Sequence, residues 1–289
     1  MNYRHAFHAG NFGDVLKHVV LVALLEHLVR KDKPLFFLDT HAGRARYDLD
    51  AEQARRSGEA DAGIRRLAGT PAPSPLVSRY LDLVRGFDPA NVARIRYYPG
   101  SPSLAAMLLR PGDRAALCEL ETREAVALKG EFRGDRRFAV HRRDGYESLK
   151  ALLPPPERRG LVLLDPPYES QEQELGTVAD ALAAAQRRWP QGVFAAWYPV
   201  KQAAPVAVFH AALARRGVTR LLLAELSVHP ADSGAGLNGS GLVLVNPPWQ
   251  LDEALAATLP GLHAALSPSG AGGWRVEWLV PEAPGRAGG

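Results

Sequence analysis

From residue 13 to residue 216 the chain alternates helix-like segments with short apolar runs, and this alternation constrains the fold more than any other feature. Residues 13–30 carry apolar side chains at helical spacing, and the run LFFLD at 35–39 follows them. Later apolar runs in the same alternation are AALCELE (115–121), FAVH (138–141), GLVLLD (160–165) and GVFAAWYP (192–199). Strands joined by helices form right-handed βαβ units, so the sequence predicts an α/β fold built on a parallel sheet.

The last two apolar runs break this alternation. RLLLAELSV at 220–228 and LVLV at 242–245 are joined by the Gly/Ser-rich loop HPADSGAGLNGSG, with no helix between them. A direct loop between neighbouring strands favours an antiparallel pair. The prediction is therefore a seven-stranded, mostly parallel sheet with one antiparallel strand.

Residues 46–95 differ from the rest of the chain. They are polar, rich in Arg and Ala, and interrupted by the turn-forming stretch GTPAPSP at 69–75. Helix-like segments lie on either side of that stretch. We interpret them as a small helical subdomain inserted into a single domain of residues 1–289.

Composition limits the class of protein. The single cysteine, Cys118, excludes a disulfide framework and a cysteine-based zinc cluster. The N-terminus lacks a secretory apolar region, and no apolar run reaches transmembrane length, so we expect a cytoplasmic protein. The net charge is +4, and of the Lys and Arg residues only two lie from Glu225 onward, against six acids. The recurring Arg pairs of the earlier part fit either solvated helix faces or a surface that faces phosphates.

Polar residues follow the first three predicted strands at the points where ligands bind in parallel sheets. Residues 39–43, DTHAG, come after the first strand, and their small side chains allow a ligand to approach the backbone. Glu119 follows the second strand and has the chemistry to accept both hydroxyls of a ribose. Asp144 and Gly145 follow the third, in a turn suited to an adenine amino group. Each of these alone is also compatible with an ordinary surface turn, and the full GxGxxG pattern is absent.

The fourth strand ends in Asp165-Pro166-Pro167-Tyr168, a more specific pattern. The amine of a purine is a poor nucleophile because its lone pair is delocalised into the ring. A carboxylate and a neighbouring backbone carbonyl can accept its two N–H groups and turn the lone pair toward an electrophile. The prolines stiffen that carbonyl, and an aromatic ring offers a stacking face for a base drawn out of its helix.

A second stretch, NPPW at 246–249, imitates the first, and an Asn can also accept an amine proton. Strand direction separates the two. The strand before Asn246 is predicted to run against the parallel set, so its end lies at the opposite edge of the sheet. We therefore interpret NPPW as a strand-ending turn with Trp249 packed as a lid on the core.

The stretch at 165–168 resembles the Asp/Asn-Pro-Pro-aromatic motif of S-adenosylmethionine-dependent amino methyltransferases, and the three preceding loops occur in the order found there. Longer stretches are similar to the RlmJ family, whose members are 23S rRNA adenine-N6-methyltransferases named for adenine 2030. These stretches are YRHAFHAGNFGDVLKH (3–18), FLDTHAG (37–43), RYYPGSP (96–102) and AWYP (196–199). The resemblance extends from Tyr3 to about Pro281 and implies a Rossmann-like class I methyltransferase fold.

The resemblance also implies roles for individual residues. Asp165 and the Pro166 carbonyl would hold the amine of a flipped-out adenine, Tyr168 would stack on the base, and Lys17 would act beside them and could meet the cofactor's methionine carboxylate. Tyr3 and His5 belong to an N-terminal segment that covers the catalytic cleft in this family. The positions implied to bind S-adenosylmethionine are His18, His41, Gly43, Ser101, Glu119, Asp144, Gly145 and Asp165.

The same resemblance implies a 23S rRNA substrate, as naked or early-assembly RNA, and we expect a monomer with no membrane partner. In one loop the chain departs from the family, which usually reads HAGAGRY where this chain reads HAGRARY. If the second glycine has a positive φ, Ala45 in its place costs about 1 kcal/mol. Arg44 and Ala45 therefore put the affinity for the cofactor in question.

Other functions remain open from the residues alone. A DNA adenine or a protein glutamine methyltransferase would use the same amine chemistry, and a Rossmann-like sheet also suits an NAD-dependent oxidoreductase. The incomplete GxGxxG argues against the oxidoreductase, and Asp165 argues against a noncatalytic RNA-binding module. His5, His8 and His18 suggest a metal site, but they lack metal-ligand spacing, and we expect no metal.

Overall fold

The protein is described here by a computed structural model, which covers residues 5–230 and 233–282. Within those residues the chain forms ten strands and eleven α-helices. The strands are β1 (Phe36–Asp39), β2 (Arg46–Asp48), β3 (Tyr97–Pro99), β4 (Arg114–Cys118), β5 (Phe138–His141), β6 (Gly160–Leu164), β7 (Val193–Val200), β8 (Leu221–Ser227), β9 (Gly239–Val245) and β10 (Gly273–Val280). The helices are α1 (Phe12–Val29), α2 (Glu52–Ser57), α3 (Glu59–Ala62), α4 (Ile64–Ala68), α5 (Pro75–Gly86), α6 (Ser101–Leu108), α7 (Thr122–Glu131), α8 (Gly145–Leu152), α9 (Gln171–Arg188), α10 (Ala203–Arg215) and α11 (Leu251–Leu266).

Eight of the described strands form one sheet in the order β10-β8-β9-β7-β6-β1-β4-β5. The strands from β7 to β5 in that order pair in parallel, whereas β9 runs antiparallel to both β7 and β8. The fold is therefore the predicted Rossmann-like α/β class. The loops that follow β1, β4, β5 and β6 lie together at one edge of the sheet, because parallel strands end on the same side.

The predicted strand count was wrong by one. The described chain has an eighth strand in this sheet, β10, and since it pairs antiparallel with β8, two strands are reversed instead of one. β10 lies at the edge of the sheet, and its side chains are mostly exposed or half-buried. A strand of this kind lacks the continuous apolar run by which the buried strands were recognised.

The predicted direction of the strand before Asn246 is confirmed, since β9 runs against β7. Its end lies at the edge opposite to the end of β6, which leads into Asp165. The predicted lid role of Trp249 is wrong: this side chain is 82% exposed. Asn246 adopts φ 52° and donates from Nδ2 to the carbonyls of Pro190 and Gly192, so the amide closes the turn and leaves the indole in solvent.

Helix α1 lies in the interior and carries polar groups into it. Most of its residues are buried, and it packs against α5, α6, α11 and β9. The Asn11 side chain caps the helix by accepting from the Asp14 amide at 2.8 Å. Asp14, Lys17 and His18 are buried within this otherwise apolar helix. Buried charges need partners, so their positions mark the part of the fold where a site is expected.

The inserted segment joins the rest of the protein at both ends through one small ribbon. β2 and β3 pair antiparallel, which brings residues 46–48 next to 97–99. The helices α3 to α5 between them share a hydrophobic cluster with α1, to which Ile64 and Tyr80 belong. The description of residues 46–95 as a subdomain stays a prediction. None of the described helices is long and apolar enough to cross a membrane.

Candidate active site

A cleft of about 750 Å³ opens at the carboxyl ends of the parallel strands. Its walls come from the loops after β1, β4, β5 and β6 and from one side of α1. Among the residues that line it are these predicted site residues: His5, Lys17, His18, His41, Gly43, Ser101, Glu119, Asp144, Gly145, Asp165 and Pro166. Tyr3 lies outside the described residues, and Tyr168 lies behind the cleft wall. The topology thus brings together residues that are far apart in the sequence.

The loops after β1, β4 and β5 lie in direct contact with one another. Gly43 adopts φ 62°, and its amide donates to Glu119 Oε2 at 2.9 Å. A Cβ on Gly145 would lie 2.3 Å from the carbonyl oxygen of Thr40. Asp144 caps α8 by accepting from the amides of Tyr146 and Glu147 with one oxygen, Oδ1. Glycine at 43 permits the left-handed backbone, and glycine at 145 lets the loops after β5 and β1 pack closely at this end of the cleft.

His41 is a neutral hydrogen-bond acceptor in the cleft. The Thr40 hydroxyl donates to the Leu163 carbonyl at 3.0 Å, so it accepts from His41 Nδ1 at 2.8 Å. Burial lowers the pKa of His41 to about 4, although the carboxylates of Asp165 and Asp144 oppose the shift. With its proton on Nδ1, the neutral ring keeps Nε2 as an acceptor.

His18 is also neutral and is tied to a buried pair of tyrosines. Its Nδ1 contacts the Tyr98 hydroxyl at 2.7 Å, and that hydroxyl contacts Tyr80 at 2.9 Å. Burial, followed by the nearby Lys17 charge, lowers the pKa of His18 to about 3. Its Nε2 has no hydrogen-bond partner among the described residues. A buried nitrogen that faces a cleft without a partner is a place for a ligand.

Asp39 lies directly behind Ser101 at the end of β1. The Ser101 hydroxyl donates to Asp39 Oδ2 at 2.6 Å, and the His41 amide donates to Oδ1 at 3.3 Å. Burial raises the pKa of Asp39 to about 7; the Ser101 hydrogen bond opposes this, and the nearby Asp165 carboxylate adds to it. Asp39 was not among the predicted site residues, because nothing in the sequence indicates that its carboxyl is buried behind Ser101.

Lys17 connects α1 to the loop after β6. Its ammonium donates to Asp14 Oδ1 at 2.7 Å and to Asp165 Oδ2 at 2.6 Å. Burial opposes the charged form, but the two carboxylates outweigh it and hold the pKa of Lys17 well above its usual value. Lys17 is therefore a permanent cation and cannot act as a general base.

Asp165 lies at the cleft surface, but Tyr168 does not. The Tyr168 side chain is 4% exposed, and its hydroxyl donates to the carbonyl of Trp197. Its ring meets Trp197 edge-on at 5.7 Å between centroids, and its backbone adopts φ 50°. Pro166 and Pro167 line the cleft instead. Stacking of Tyr168 on a base stays a prediction, and it requires the ring to become exposed.

The N-terminal segment closes one side of the cleft. His5 begins a 3-10 turn, its Nε2 lies 3.0 Å from Asp14 Oδ2, and its ring meets Tyr47 edge-on at 5.0 Å. His8 Nδ1 contacts Glu59 at 2.9 Å, so the two histidines bind different carboxylates. No group of His, Cys, Asp or Glu side chains within residues 5–230 and 233–282 is arranged to hold a metal ion.

The loop that departs from the family places Arg44 in the cleft wall and Ala45 in the core behind it. Arg44 Nε donates to Glu124 Oε2 at 2.7 Å, and Nη2 contacts the other oxygen of the same carboxylate. This bidentate pair ties the loop to α7. Ala45 adopts φ 68° and is fully buried. Ala45 therefore places a Cβ in the left-handed region, which is the case in which alanine at the family's second glycine position was expected to cost stability.

Ala45→Gly is therefore expected to raise the free energy of unfolding by about 0.5–1 kcal/mol. Relief of left-handed strain exceeds the greater flexibility that glycine gives the unfolded chain. Denaturant unfolding measures the change. Ala184→Gly, at an exposed position in α9, is the matched control and should lower stability by about 1 kcal/mol. A destabilised Ala45→Gly variant would contradict this account of the loop.

Comparison with known proteins gives a consistent answer over nearly the whole chain. Residues 32–280 match the family model described as ribosomal RNA large subunit methyltransferase D, RlmJ. The curated ribosomal RNA large subunit methyltransferase J of Escherichia coli is 41% identical over 98% of this chain and all of its own length. The protein of the same name from Haemophilus influenzae is 40% identical over the same shares. A solved structure of a Legionella pneumophila protein superposes with a TM-score of 0.84 at 34% identity, covering 94% of this chain and 98% of that one.

Proposed function

This chain belongs to the RlmJ family of ribosomal RNA large subunit methyltransferases, and from that premise we propose that it methylates N6 of one adenine in 23S rRNA, adenine 2030 by family resemblance. The observation that carries the proposal is the position of Asp165. Its carboxylate lies at the cleft surface, at the end of a parallel strand, beside the loops suited to a nucleoside cofactor. A carboxylate in that place can accept from an amine that faces the cofactor.

The polar groups that line the cleft support a site for S-adenosylmethionine. Glu119 offers carboxylate oxygens for a ribose, and Gly43 and Gly145, which also line the cleft, would present backbone rather than side chains to an adenosine. The unpartnered Nε2 of His18 and the Ser101 hydroxyl suit the amino-acid end of the cofactor. Among the described residues Lys17 already has two carboxylate partners, so His18 is the better candidate to meet the methionine carboxylate. When bound, the cofactor would supply a methyl group on a sulfonium, and its sulfur would leave as a neutral thioether, which is chemistry that needs no metal.

In the proposed mechanism Asp165 and the Pro166 carbonyl orient the adenine amine. Both oxygens accept N–H groups, which turns the lone pair out of the ring and stabilises the positive charge that develops on nitrogen. The methylated nitrogen then releases one N–H proton to solvent, which leaves neutral N6-methyladenine. Lys17 keeps Asp165 in place from the side away from the amine. Positioning supplies most of the rate, because the leaving group needs no protonation.

The RNA is proposed to reach the cleft along its α2 side. Gln53 lines the cleft, and Arg55 and Arg56 follow it on the exposed face of the same short helix. Neither arginine forms an ion pair with a carboxylate of the described residues, so both are available to phosphates. We further propose that the protein acts in the cytoplasm as a monomer on naked or early-assembly 23S rRNA, with the target base flipped out.

A methyl-transfer assay tests this proposal. Purified protein should transfer labelled methyl from S-adenosylmethionine to unmodified 23S rRNA, and nuclease digestion should release N6-methyladenosine. Mapping of the modified base then tests adenine 2030. Label that appears solely on duplex DNA or on protein glutamine would favour one of the two related methyltransferase classes. Binding of a nicotinamide cofactor in place of S-adenosylhomocysteine would exclude the proposal.

Cofactor binding is expected to release protons near pH 7. The pKa of Asp39 is raised to about 7, so at that pH a large share of its carboxyls carry a proton. A cationic cofactor favours the carboxylate, lowers this pKa and expels the proton. Calorimetric titration with S-adenosylmethionine at pH 7, in buffers of different ionisation enthalpy, should show that protons are released on binding. The Asp39→Asn variant should not show this release. Proton uptake on binding would contradict the assignment.

The same pKa fixes the direction of a stability change. Because the folded pKa of Asp39 lies above its ordinary value of 3.8, the native state binds the proton more tightly. This contribution to stability is present at acid pH and is lost as the pH rises toward 7.

A further inference from the structure

A buried run of ionic contacts connects the N-terminal segment to Asp165. Asp14 Oδ2 accepts from the Gly10 amide at 2.9 Å and lies 3.0 Å from His5 Nε2. Asp14 Oδ1 accepts from Lys17 Nζ at 2.7 Å, and the same ammonium donates to Asp165 Oδ2 at 2.6 Å. The two oxygens of Asp14 thus have different partners. Oδ2 contacts the N-terminal segment, and Oδ1 contacts Lys17, which binds the proposed catalytic residue Asp165.

The Lys17 ammonium links Asp14 to Asp165, which gives Asp14 an effect on Asp165. One ammonium is shared between two carboxylates, and its side chain is 5% exposed, so solvent screens the interaction weakly. Burial opposes ionisation of Asp14, yet the neighbouring His5 and Lys17 hold its pKa well below its usual value. Asp14 is therefore ionised, and it competes with Asp165 for the electrostatic attraction of the Lys17 ammonium.

Geometry adds a second effect. Lys17 engages Oδ2 of Asp165, which leaves Oδ1 to accept from an amine in the cleft. Asp14 holds the ammonium from the α1 side, three residues away on the same helix. Without that contact, the Lys17 side chain would have one carboxylate partner left, and both oxygens of Asp165 would be open to its donors.

We propose that Asp14 is a positioning residue, which holds Lys17 so that Asp165 keeps one oxygen for the target amine. Since His5 and Gly10 bind the other oxygen of Asp14, this arrangement forms only when the N-terminal segment is seated. The proposal rests on the proposed methyl transfer. It adds that binding of the N-terminal segment over the cleft is coupled, through Asp14 and Lys17, to the orientation of the Asp165 carboxylate.

Asp14→Asn tests the proposal because it keeps the shape and removes the charge. We expect kcat for methyl transfer to fall about ten- to a hundredfold, with the KM for RNA and the Kd for S-adenosylhomocysteine changed by less than about threefold. A loss confined to kcat indicates that the reacting arrangement is disturbed, whereas a general structural defect would alter binding as well. Unchanged kcat, or equal losses in kcat and cofactor affinity, would overturn the proposal.

Glu59→Gln is the matched control. Glu59 holds the same N-terminal segment, through His8 Nδ1 and Asn11 Nδ2 at 2.9 Å each, but it does not touch Lys17. Its kcat should stay within about threefold of the unaltered protein. We expect the contacts of His5 and Gly10 with Asp14 to keep the segment seated in this variant. If Glu59→Gln loses as much activity as Asp14→Asn while Lys17 stays protected from acylation, anchoring of the segment explains both losses and the role of Asp14 is refuted.

Acylation of lysines by acetic anhydride gives a readout that needs neither RNA nor cofactor. In the unaltered protein Lys17 should be modified far more slowly than the exposed Lys201, as measured by mass spectrometry. Asp14→Asn should speed modification of Lys17 by at least about tenfold, and Glu59→Gln should not, because Lys17 loses a partner in the first variant alone. Asp14→Ser carries the same expectation if the Asn variant does not fold. If the unaltered protein methylates no RNA, the proposed function fails; if Lys17 stays equally protected in the Asp14 variants, the positioning role fails.

Discussion

Asp165→Ala is expected to lower the rate of methyl transfer by about a thousandfold or more while the protein stays folded. The substitution removes the acceptor that orients the adenine amine and the charge that stabilises the developing cation. S-adenosylhomocysteine should still bind within about tenfold of its usual Kd, because the ribose and amino-acid contacts come from other loops. Single-turnover transfer to 23S rRNA, with calorimetry for the cofactor, measures both quantities.

The chain itself provides the matched control for this prediction. Asn246 opens the look-alike stretch NPPW, and Asn246→Ala removes its two contacts to the Pro190 and Gly192 carbonyls. This variant is expected to lose some stability and to keep its rate of transfer when assayed well below its Tm. Retained activity in Asp165→Ala would remove Asp165 from the mechanism. Lost activity in a folded Asn246→Ala protein would contradict the topological argument that separates the two motifs.

Gly145→Ala is expected to weaken cofactor binding by at least about tenfold. The new Cβ would lie 2.3 Å from the Thr40 carbonyl oxygen and 2.9 Å from His41 Cε1, so the loops after β1 and β5 must move apart. The neighbour at 2.3 Å is backbone, which cannot rotate away as a side-chain tip would. Both loops line the proposed adenosine end of the cleft, and displacement alters several contacts at once. Calorimetric titration with S-adenosylhomocysteine measures the loss.

Gly176→Ala controls for the chemical change itself. Gly176 lies within α9, and a Cβ there would meet no atom of the described structure within 4 Å. Alanine is the better helix former, so this variant should be as stable as the unaltered protein or slightly more so, with the same cofactor affinity. If Gly145→Ala binds as well as Gly176→Ala, the glycine at 145 is not required for the cofactor site.

The proposed reaction and the proposed positioning role place different demands on Lys17. For methyl transfer, Lys17 must be a fixed cation beside Asp165. For the coupling to the N-terminal segment, its position must depend on Asp14, which the segment also binds. Both demands are met by one buried ammonium between two carboxylates. An ion of this kind is costly to leave unpaired, so its partners determine where it lies.

Short-range patterns in the sequence were enough to predict most of the strands and their directions. Buried parallel strands read as continuous apolar runs, and the β6 run GLVLL is buried at every position. The absence of a helix between β8 and β9 was enough for their antiparallel pairing. The same reasoning failed to predict β10. As an edge strand it is not buried on both faces, so it need not be a continuous apolar run. The reasoning failed again at Trp249, since a large apolar side chain in a turn gives no indication of what covers it.

The sequence by itself determined the fold class, the edge of the sheet that carries the cleft and the strand-end residues around it, because each depends on short-range spacing and strand direction. Only the tertiary structure decided how those residues are paired. The contact between Lys17 and Asp165 joins positions 148 apart, and the raised pKa of Asp39 depends on burial by the surrounding chain. The burial of Tyr168 against Trp197 likewise follows from two strands meeting. Protonation states and contacts of this kind depend on distance and solvent exclusion in three dimensions, which residue order does not encode locally.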